Sequence, residues 1–138
     1  MTRAYFIGSV VVEQLDRGYW RLREALEFRS ATGCWVQVPA GFLTDFASCP
    51  RLLWVCFSPT DPRYSAAAFI HDRCYERNAV DRATADALLY EAAIVGGTSI
   101  VGAWCLWAGV RLGGARAYAT GPQRQRERLT DYRRRGVT

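Results

Sequence analysis

The only histidine of the chain lies in the stretch FIHDRCYERN, residues 69–78, directly before an aspartate and four residues before a tyrosine. On a helix, His71 and Tyr75 project from the same face, whereas Asp72 lies about 100° round the axis. Imidazole is the side chain that most readily exchanges protons near neutral pH. The spacing therefore suggests a general base with supporting groups on one helix face.

Asp86 is the carboxylate predicted to orient this histidine. The short connection from Asn78 to Asp81 makes the next helix antiparallel to the first. At 1.5 Å per residue, the side chains of His71 and Asp86 then fall at nearly the same height. Asp86 could accept the Nδ1 proton of His71 and leave the other ring nitrogen to take a proton from water. The candidate catalytic residues are His71, Asp86 and Tyr75.

A second polar cluster lies in GFLTDFASCP, residues 41–50, where a predicted strand ends in a turn containing Thr44, Asp45 and Ser48. Asp45 and Asp72 are candidate ligands for a hard cation, calcium or magnesium, because such ions prefer oxygen ligands. A zinc site is not indicated, since the five cysteines include no C-x-x-C pair and one histidine cannot complete a Cys/His set. The sequence identifies no certain cofactor.

The same residues also have a purely structural interpretation. A lone histidine on a helix often serves as a hydrogen-bonded packing residue, and Asp45 can cap its own turn. Asp86 can bind a backbone amide or an arginine instead of the histidine. Both interpretations stay open on the sequence alone.

The elements around these residues indicate an α+β fold. Residues 6–15, together with two alternating segments on either side of Gly33, predict a small N-terminal antiparallel sheet, a hairpin or a meander. The hairpin would pair residues 19–29 with residues 34–43. Three helices should follow, the first two as an antiparallel hairpin: residues 65–78 with Ser65 as N-cap, residues 81–95 with Asp81 as N-cap, and residues 99–118.

Length and charge predict one α+β domain, residues 1–120, and a basic tail, residues 121–138. The 138 residues suffice for one hydrophobic core and not for two. The formal net charge of the chain is +5, and the tail carries most of it, with six arginines against two acidic residues. The body is therefore nearly neutral. A partner protein is favoured over nucleic acid as the target of the tail, because the body adds almost no positive charge. The tail arginines are Arg124, Arg126, Arg128, Arg133, Arg134 and Arg135.

Residues 92–110 form a segment without a charged side chain. The segment is long enough to raise the question of a membrane span. Gly96 and Gly97 interrupt the segment, and Thr98 and Ser99 resemble a helix start. The pattern therefore favours a buried or partner-facing helix over a membrane span.

Three motifs together resemble a family of small bacteriophage and prophage proteins of unknown function. They are VPAGFLTDFASCPRLLW, then HDRCY, then ADALLYEA, and the resemblance covers about residues 18–118. It places Thr44, Asp45, Ser48, His71, Asp72, Tyr75 and Asp86 at the family's motif positions. It implies a phage-encoded protein and brings no activity with it.

The HDRCY motif with an aspartate on the next helix is also similar to the secreted phospholipases of the A2 class. That likeness implies His71 as the base that activates water, Asp72 as a calcium ligand and Asp86 as the orienting group. The glycine- and cysteine-rich calcium loop and the disulfide framework of those enzymes are missing here.

Two functions follow as expectations. The first is a virion component of the tail or tail tip, made in the cytoplasm of the host bacterium and docking to other phage structural proteins. The alternative is a small hydrolase that acts on the host envelope, on lipid esters or cell wall, through His71 and Asp86. The two are compatible, because a tail tip can carry an enzyme.

Overall fold

The structure is a computed structural model that describes residues 2–15, 19–44 and 61–134. Two small antiparallel sheets lie in the described residues up to Thr44, and helices lie in the described residues from Pro62 to Arg134. The predicted α+β class is confirmed. Each sheet has three strands, and the two orders are β1-β4-β5 and β2-β3-β6. The strands are β1 Tyr5–Ile7, β2 Val12–Gln14, β3 Trp20–Leu22, β4 Leu26–Arg29, β5 Trp35–Val38 and β6 Leu43–Thr44.

The two sheets are the two halves of one interrupted meander. Phe28 of β4 pairs with Phe6 on one side and Val36 on the other. In the second sheet, Arg21 of β3 lies opposite Glu13 of β2 on one side and opposite Leu43 of β6 on the other. The predicted pairing of residues 19–29 with residues 34–43 is therefore present. It is interrupted where the chain passes from one sheet to the other.

Gly8 marks the break in the first segment. Its φ of 93° lies in the left-handed region, and a Cβ there would come within 2.8 Å of the carbonyl oxygen of Ala25. A larger residue would push the two segments apart, so glycine allows the chain to leave one sheet and enter the other.

Four helices follow the strands, and the prediction of three is wrong. The third predicted helix ends at Gly113, and a further helix carries the chain on through the predicted boundary at residue 121. The helices are α1 Pro62–Arg77, α2 Arg82–Val95, α3 Ile100–Gly113 and α4 Ala115–Arg134.

The helix caps explain where three of the helices begin. Asp81 is an N-cap as predicted, and Ser99, near which a helix start was predicted, is one as well; each accepts a hydrogen bond from a backbone N–H in the first turn. The prediction of Ser65 as the first N-cap is wrong. Asp61 caps α1 instead, and Pro62 at the first helical position has the backbone angle that the helix needs.

Helix α4 crosses a proline because α1 supplies the missing hydrogen bond. Pro122 has no N–H to give to the carbonyl oxygen of Tyr118, four residues earlier. When the side-chain amide of Asn78 is oriented with its nitrogen toward Tyr118, this nitrogen donates a hydrogen bond to the Tyr118 carbonyl oxygen at 3.0 Å. The neighbouring Gly121 has no room for a side chain, since a Cβ would lie 2.1 Å from the carbonyl oxygen of Tyr75. The end of α1 and the middle of α4 are thus in backbone contact.

The hydrophobic core lies between the first sheet and the helices. Phe28, Val38 and Leu22 from the strands pack with Phe69 and Ile70 of α1 and with apolar residues of α2 and α3. Within the described residues, no helix has the length and apolar content needed to cross a membrane.

Candidate functional site

His71 and Asp86 meet between α1 and α2. The Nε2 atom of His71 lies 2.8 Å from Oδ1 of Asp86, and the exposed fractions of the side chains are 2 % and 0 %. The antiparallel hairpin brings them to one height, as the spacing predicted. The bond uses Nε2, however, and the expectation of Nδ1 is wrong, because the ring edge that carries Nε2 faces α2.

Tyr75 lies one turn after His71 and binds the same carboxylate. Its hydroxyl donates to Oδ1 of Asp86 at 2.5 Å, and its ring lies 4.1 Å from the imidazole, measured between centroids. Tyr75 is itself buried. It therefore acts on the histidine through Asp86 and through ring packing, as a positioning residue.

Two arginines that the sequence analysis did not single out complete the cluster. Nη1 of Arg111, on α3, donates to Oδ2 of Asp86 at 3.0 Å. Nε of Arg82 lies 3.8 Å from the same oxygen, and its Nη2 donates to the carbonyl oxygens of Val110 and Arg111 at the end of α3. The cluster thus joins α1, α2 and α3.

Both arginines could have been identified from the sequence. Arg82 is four residues before Asp86, so the two share one face of α2. Arg111 carries the only charge of α3. A single charge in an apolar helix needs a partner, and Asp86 is the buried carboxylate that provides one.

The donors around Asp86 keep it ionised. Burial alone would raise the pKa of this carboxyl, but the hydrogen bonds from His71 and Tyr75, with the bond from Arg111, hold the pKa below its ordinary value. For Tyr75, burial and the adjacent carboxylate both raise the pKa of the phenol, so its proton stays on the hydroxyl. Asp86 is a fixed anion facing one nitrogen of the imidazole.

Asp72 lies on another side of α1 and faces α4. Its Oδ2 atom is 3.7 Å from Nη1 of Arg128, and one turn later Glu76 lies 3.8 Å from Arg73. In the part of the chain that the structure describes, Oδ2 of Asp72 and Oε2 of Glu76 are buried and accept no hydrogen bond. The cavity beside them measures about 10 Å³, which is room for one water and not for an organic ligand.

The described residues do not by themselves fit a calcium or magnesium site. Across residues 2–15, 19–44 and 61–134, no three acidic, histidine or cysteine side chains are grouped to hold a metal ion. Asp72 faces a guanidinium, which competes with a cation for its oxygens. Thr44 is buried in β6. The other predicted members of that cluster, Asp45 and Ser48, lie outside the described residues.

The predicted basic tail is for the most part helical. Arg124, Arg126, Arg128, Arg133 and Arg134 belong to α4, and Arg135 lies outside the described residues. Arg126, Arg133 and Arg134 are exposed, whereas Arg128 is buried against Asp72. At least one of the predicted contact residues therefore serves the packing of α4 on α1.

The arrangement can hold and move one proton. Asp86 fixes the Nε2 edge of the imidazole, which in the neutral ring makes Nε2 the protonated nitrogen and Nδ1 the acceptor. Among the described residues, no group hydrogen-bonds to Nδ1. A water molecule that reaches this nitrogen would meet a base held in one orientation.

Comparison with known proteins agrees with the resemblance to a family of unknown function. A family model described as "Protein of unknown function (DUF1353)" matches residues 20–110, a range that contains His71, Tyr75 and Asp86. No curated protein and no solved structure matches the chain. Because the family model covers most of the sequence, the chain belongs to the DUF1353 family of proteins of unknown function.

Proposed function

We propose that this protein is a small hydrolase in which His71, oriented by Asp86, takes a proton from water. The observation that carries the proposal is the 2.8 Å contact between Nε2 of His71 and the fully buried carboxylate of Asp86. A buried acid that fixes one nitrogen of a histidine leaves the other nitrogen as a general base. The local likeness of HDRCY to A2-class phospholipases supports the same roles.

The histidine is not needed to satisfy Asp86. Tyr75 already donates to Oδ1, and Arg111 donates to Oδ2. These bonds would hold α1, α2 and α3 together without an imidazole. An imidazole that adds a third donor to a carboxylate already bonded at both oxygens is the feature that favours a catalytic role over a purely packing one.

The reaction class is hydrolysis of an acyl ester or amide of the bacterial envelope. Nδ1 of His71 accepts a proton from water as the water oxygen forms a bond to the substrate carbonyl carbon. The tetrahedral intermediate then breaks its bond to the leaving oxygen or nitrogen, which takes the proton back from Nδ1. Asp86 stabilises the imidazolium that exists between the two transfers.

The direct test is hydrolysis by the purified wild type and by His71→Gln. The substrates are phospholipid vesicles and purified peptidoglycan, with and without added calcium, and the readouts are released fatty acid and released cell-wall fragments. We expect His71→Gln to lower kcat by about a hundredfold to ten-thousandfold. Arg77→Ala is the control, because Arg77 is exposed at the end of the same helix and outside the cluster.

Thermal unfolding of each variant separates lost chemistry from lost structure. A folded His71→Gln protein that hydrolyses at the wild-type rate would overturn the proposal, and so would a folded wild type that cleaves neither substrate. An Arg77→Ala protein that loses as much activity as His71→Gln would also count against it.

The virion role stays a prediction. A tail or tail-tip location suits a hydrolase directed at the envelope, and the two proposals can hold together. Detection of the chain by mass spectrometry in purified particles would support it, and absence from particles would contradict it.

A further inference from the structure

Helix α3 exposes an apolar surface along its whole length. Val101 is 73 % exposed, Trp104 55 % and Leu112 90 %. Soluble proteins rarely leave a contiguous apolar surface of this kind uncovered. We call this surface the α3 face, and its exposed side chains are Ile100, Val101, Trp104, Cys105 and Leu112.

The spacing places these side chains on one side of the helix. Ile100 and Trp104 are four residues apart, and so are Val101 and Cys105, which is the separation of neighbours on a helical face. Other α3 side chains, Ala103, Leu106 and Val110 among them, are buried in the core. A helix that is apolar on both sides is typical of one covered on both sides.

The chain segment that contains the α3 face has an excess of positive charge. Residues 92–126 contain four arginines and neither aspartate nor glutamate. Arg116 is exposed just beyond the end of α3. At the beginning of α3, the backbone carbonyl of Arg63 accepts a hydrogen bond from Thr98, and the guanidinium of Arg63 is paired with Asp61 at 2.9 Å. A partner for this surface should therefore be apolar and carry negative charge toward the end of α3.

A lipid surface meets both requirements. The distance from Ile100 to Leu112 along the axis is about 18 Å, so α3 can lie in the headgroup region and cannot cross the roughly 30 Å hydrocarbon core. Tryptophan prefers that boundary, and arginine binds anionic headgroups. A second copy fits less well, because a symmetric contact would bring together two copies of the segment 92–126, which has four arginines and no carboxylate.

We propose that the α3 face docks this protein on an anionic lipid bilayer. Trp104, Val101 and Leu112 enter the interface, and Arg116 contacts headgroup phosphates beyond the end of α3. This inference names a bilayer lipid as the substrate class of the proposed hydrolase. It rests on the proposed function only for the hydrolytic chemistry. Docking itself does not require His71.

Vesicle co-sedimentation tests the docking without an activity readout. The probes are vesicles of pure phosphatidylcholine and vesicles of phosphatidylcholine and phosphatidylglycerol in equal parts. The test variant is Val101→Ser with Leu112→Ser, which removes exposed apolar groups at unchanged charge. The matched control is Ile7→Ser with Val11→Ser, two exposed apolar residues in the N-terminal strands and the loop between them. His71→Gln is measured in parallel.

We expect the wild type and His71→Gln to bind the anionic vesicles equally and the test variant to bind about tenfold more weakly or worse. The control pair should bind like the wild type, and added salt should weaken binding. Failure of the wild type to bind, or equal binding by the test variant, would overturn the proposal. Concentration-dependent dimers that the test variant abolishes, without vesicle binding, would assign the α3 face to self-association and also overturn it. Because binding is read apart from hydrolysis, either proposal can fail alone.

Discussion

Helix α1 borders two buried carboxylate clusters, and they differ in how the carboxylate oxygens are satisfied. On the side of α2 and α3, both oxygens of Asp86 accept hydrogen bonds, from His71 and Tyr75 at one oxygen and from Arg111 at the other. On the side of α4, Oδ2 of Asp72 and Oε2 of Glu76 accept none within the described chain. The carboxylate of the first cluster is therefore hydrogen-bonded at both oxygens, and each carboxylate of the second has one oxygen without a hydrogen bond.

In these two clusters, the hydrogen bonds that a buried carboxyl accepts decide whether its pKa falls or rises. Hydrogen bonds hold the pKa of Asp86 below its ordinary value in spite of its burial. Burial raises the pKa of Glu76 to about 7, and the charge of Asp72 adds to that rise, although Arg73 and Arg128 oppose it. One cluster therefore offers a permanent anion, and the other offers a proton that titrates near neutral pH.

Asp86→Asn should have the largest effect. It removes the charge that Arg111 and Arg82 face and leaves both guanidiniums without their carboxylate. We expect a loss of about 3–5 kcal/mol in the free energy of unfolding, measured by urea denaturation at neutral pH. The contribution of Asp86 should be present above the ordinary pKa of aspartate and disappear as pH falls through its lowered pKa.

Asp72→Asn is the matched control in the other cluster. It removes one carboxylate from α1, where Oδ2 of Asp72 accepts no hydrogen bond from the described residues. We expect a change of about 1 kcal/mol. Equal losses in the two variants would remove the contrast between the clusters.

Glu76 should make stability depend on pH between about 4.5 and 7. Its pKa is raised in the folded protein, so the folded state holds a proton that the unfolded state has released. Its contribution is complete below the ordinary carboxyl pKa and is lost as pH rises to about 7. We expect the wild type to lose up to about 3 kcal/mol across this range relative to Glu76→Gln.

Urea denaturation of both proteins at several pH values gives the comparison directly. The other titrating groups are common to the wild type and Glu76→Gln, so their effects cancel in the difference. Parallel stability curves for the two proteins would show that Glu76 titrates as an ordinary exposed carboxyl.

Tyr75→Phe should lower the free energy of unfolding less than Asp86→Asn does. It removes one hydrogen bond to the carboxylate of Asp86 and keeps the ring that packs against His71. We expect a loss of about 2 kcal/mol. If Tyr75 also positions the base, the pH profile of hydrolysis should shift in the variant, because Asp86, with one donor fewer, becomes a stronger acceptor for His71. A variant with lower stability and an unchanged pH profile would limit Tyr75 to a structural role.

Much of the fold and the central pair could be predicted because their signals are local. The caps at Asp81 and Ser99 follow from residue type, and the contact of His71 with Asp86 follows from counting residues on either side of a short turn. Secondary-structure periods and turn lengths are short-range properties, so sequence alone carries them.

The rest depends on contacts that the local sequence does not show. The continuation of α4 through Pro122 depends on Asn78, more than forty residues away, as a donor to the freed carbonyl. The place of Arg111 in the site depends on how α3 packs on α2. The ring nitrogen that faces Asp86 depends on side-chain orientation, which residue spacing does not determine.

The nuclear magnetic resonance signals of the imidazole nitrogens test the central claim most directly, and the chain has only one histidine to assign. For the neutral ring, the account predicts that the proton resides on Nε2 in the wild type and that this preference weakens in Asp86→Asn. It also predicts that Nδ1 is the nitrogen that gains a proton as pH falls. A neutral ring protonated at Nδ1, or a tautomer ratio that Asp86→Asn leaves unchanged, would contradict the claim that Asp86 holds His71 as a base.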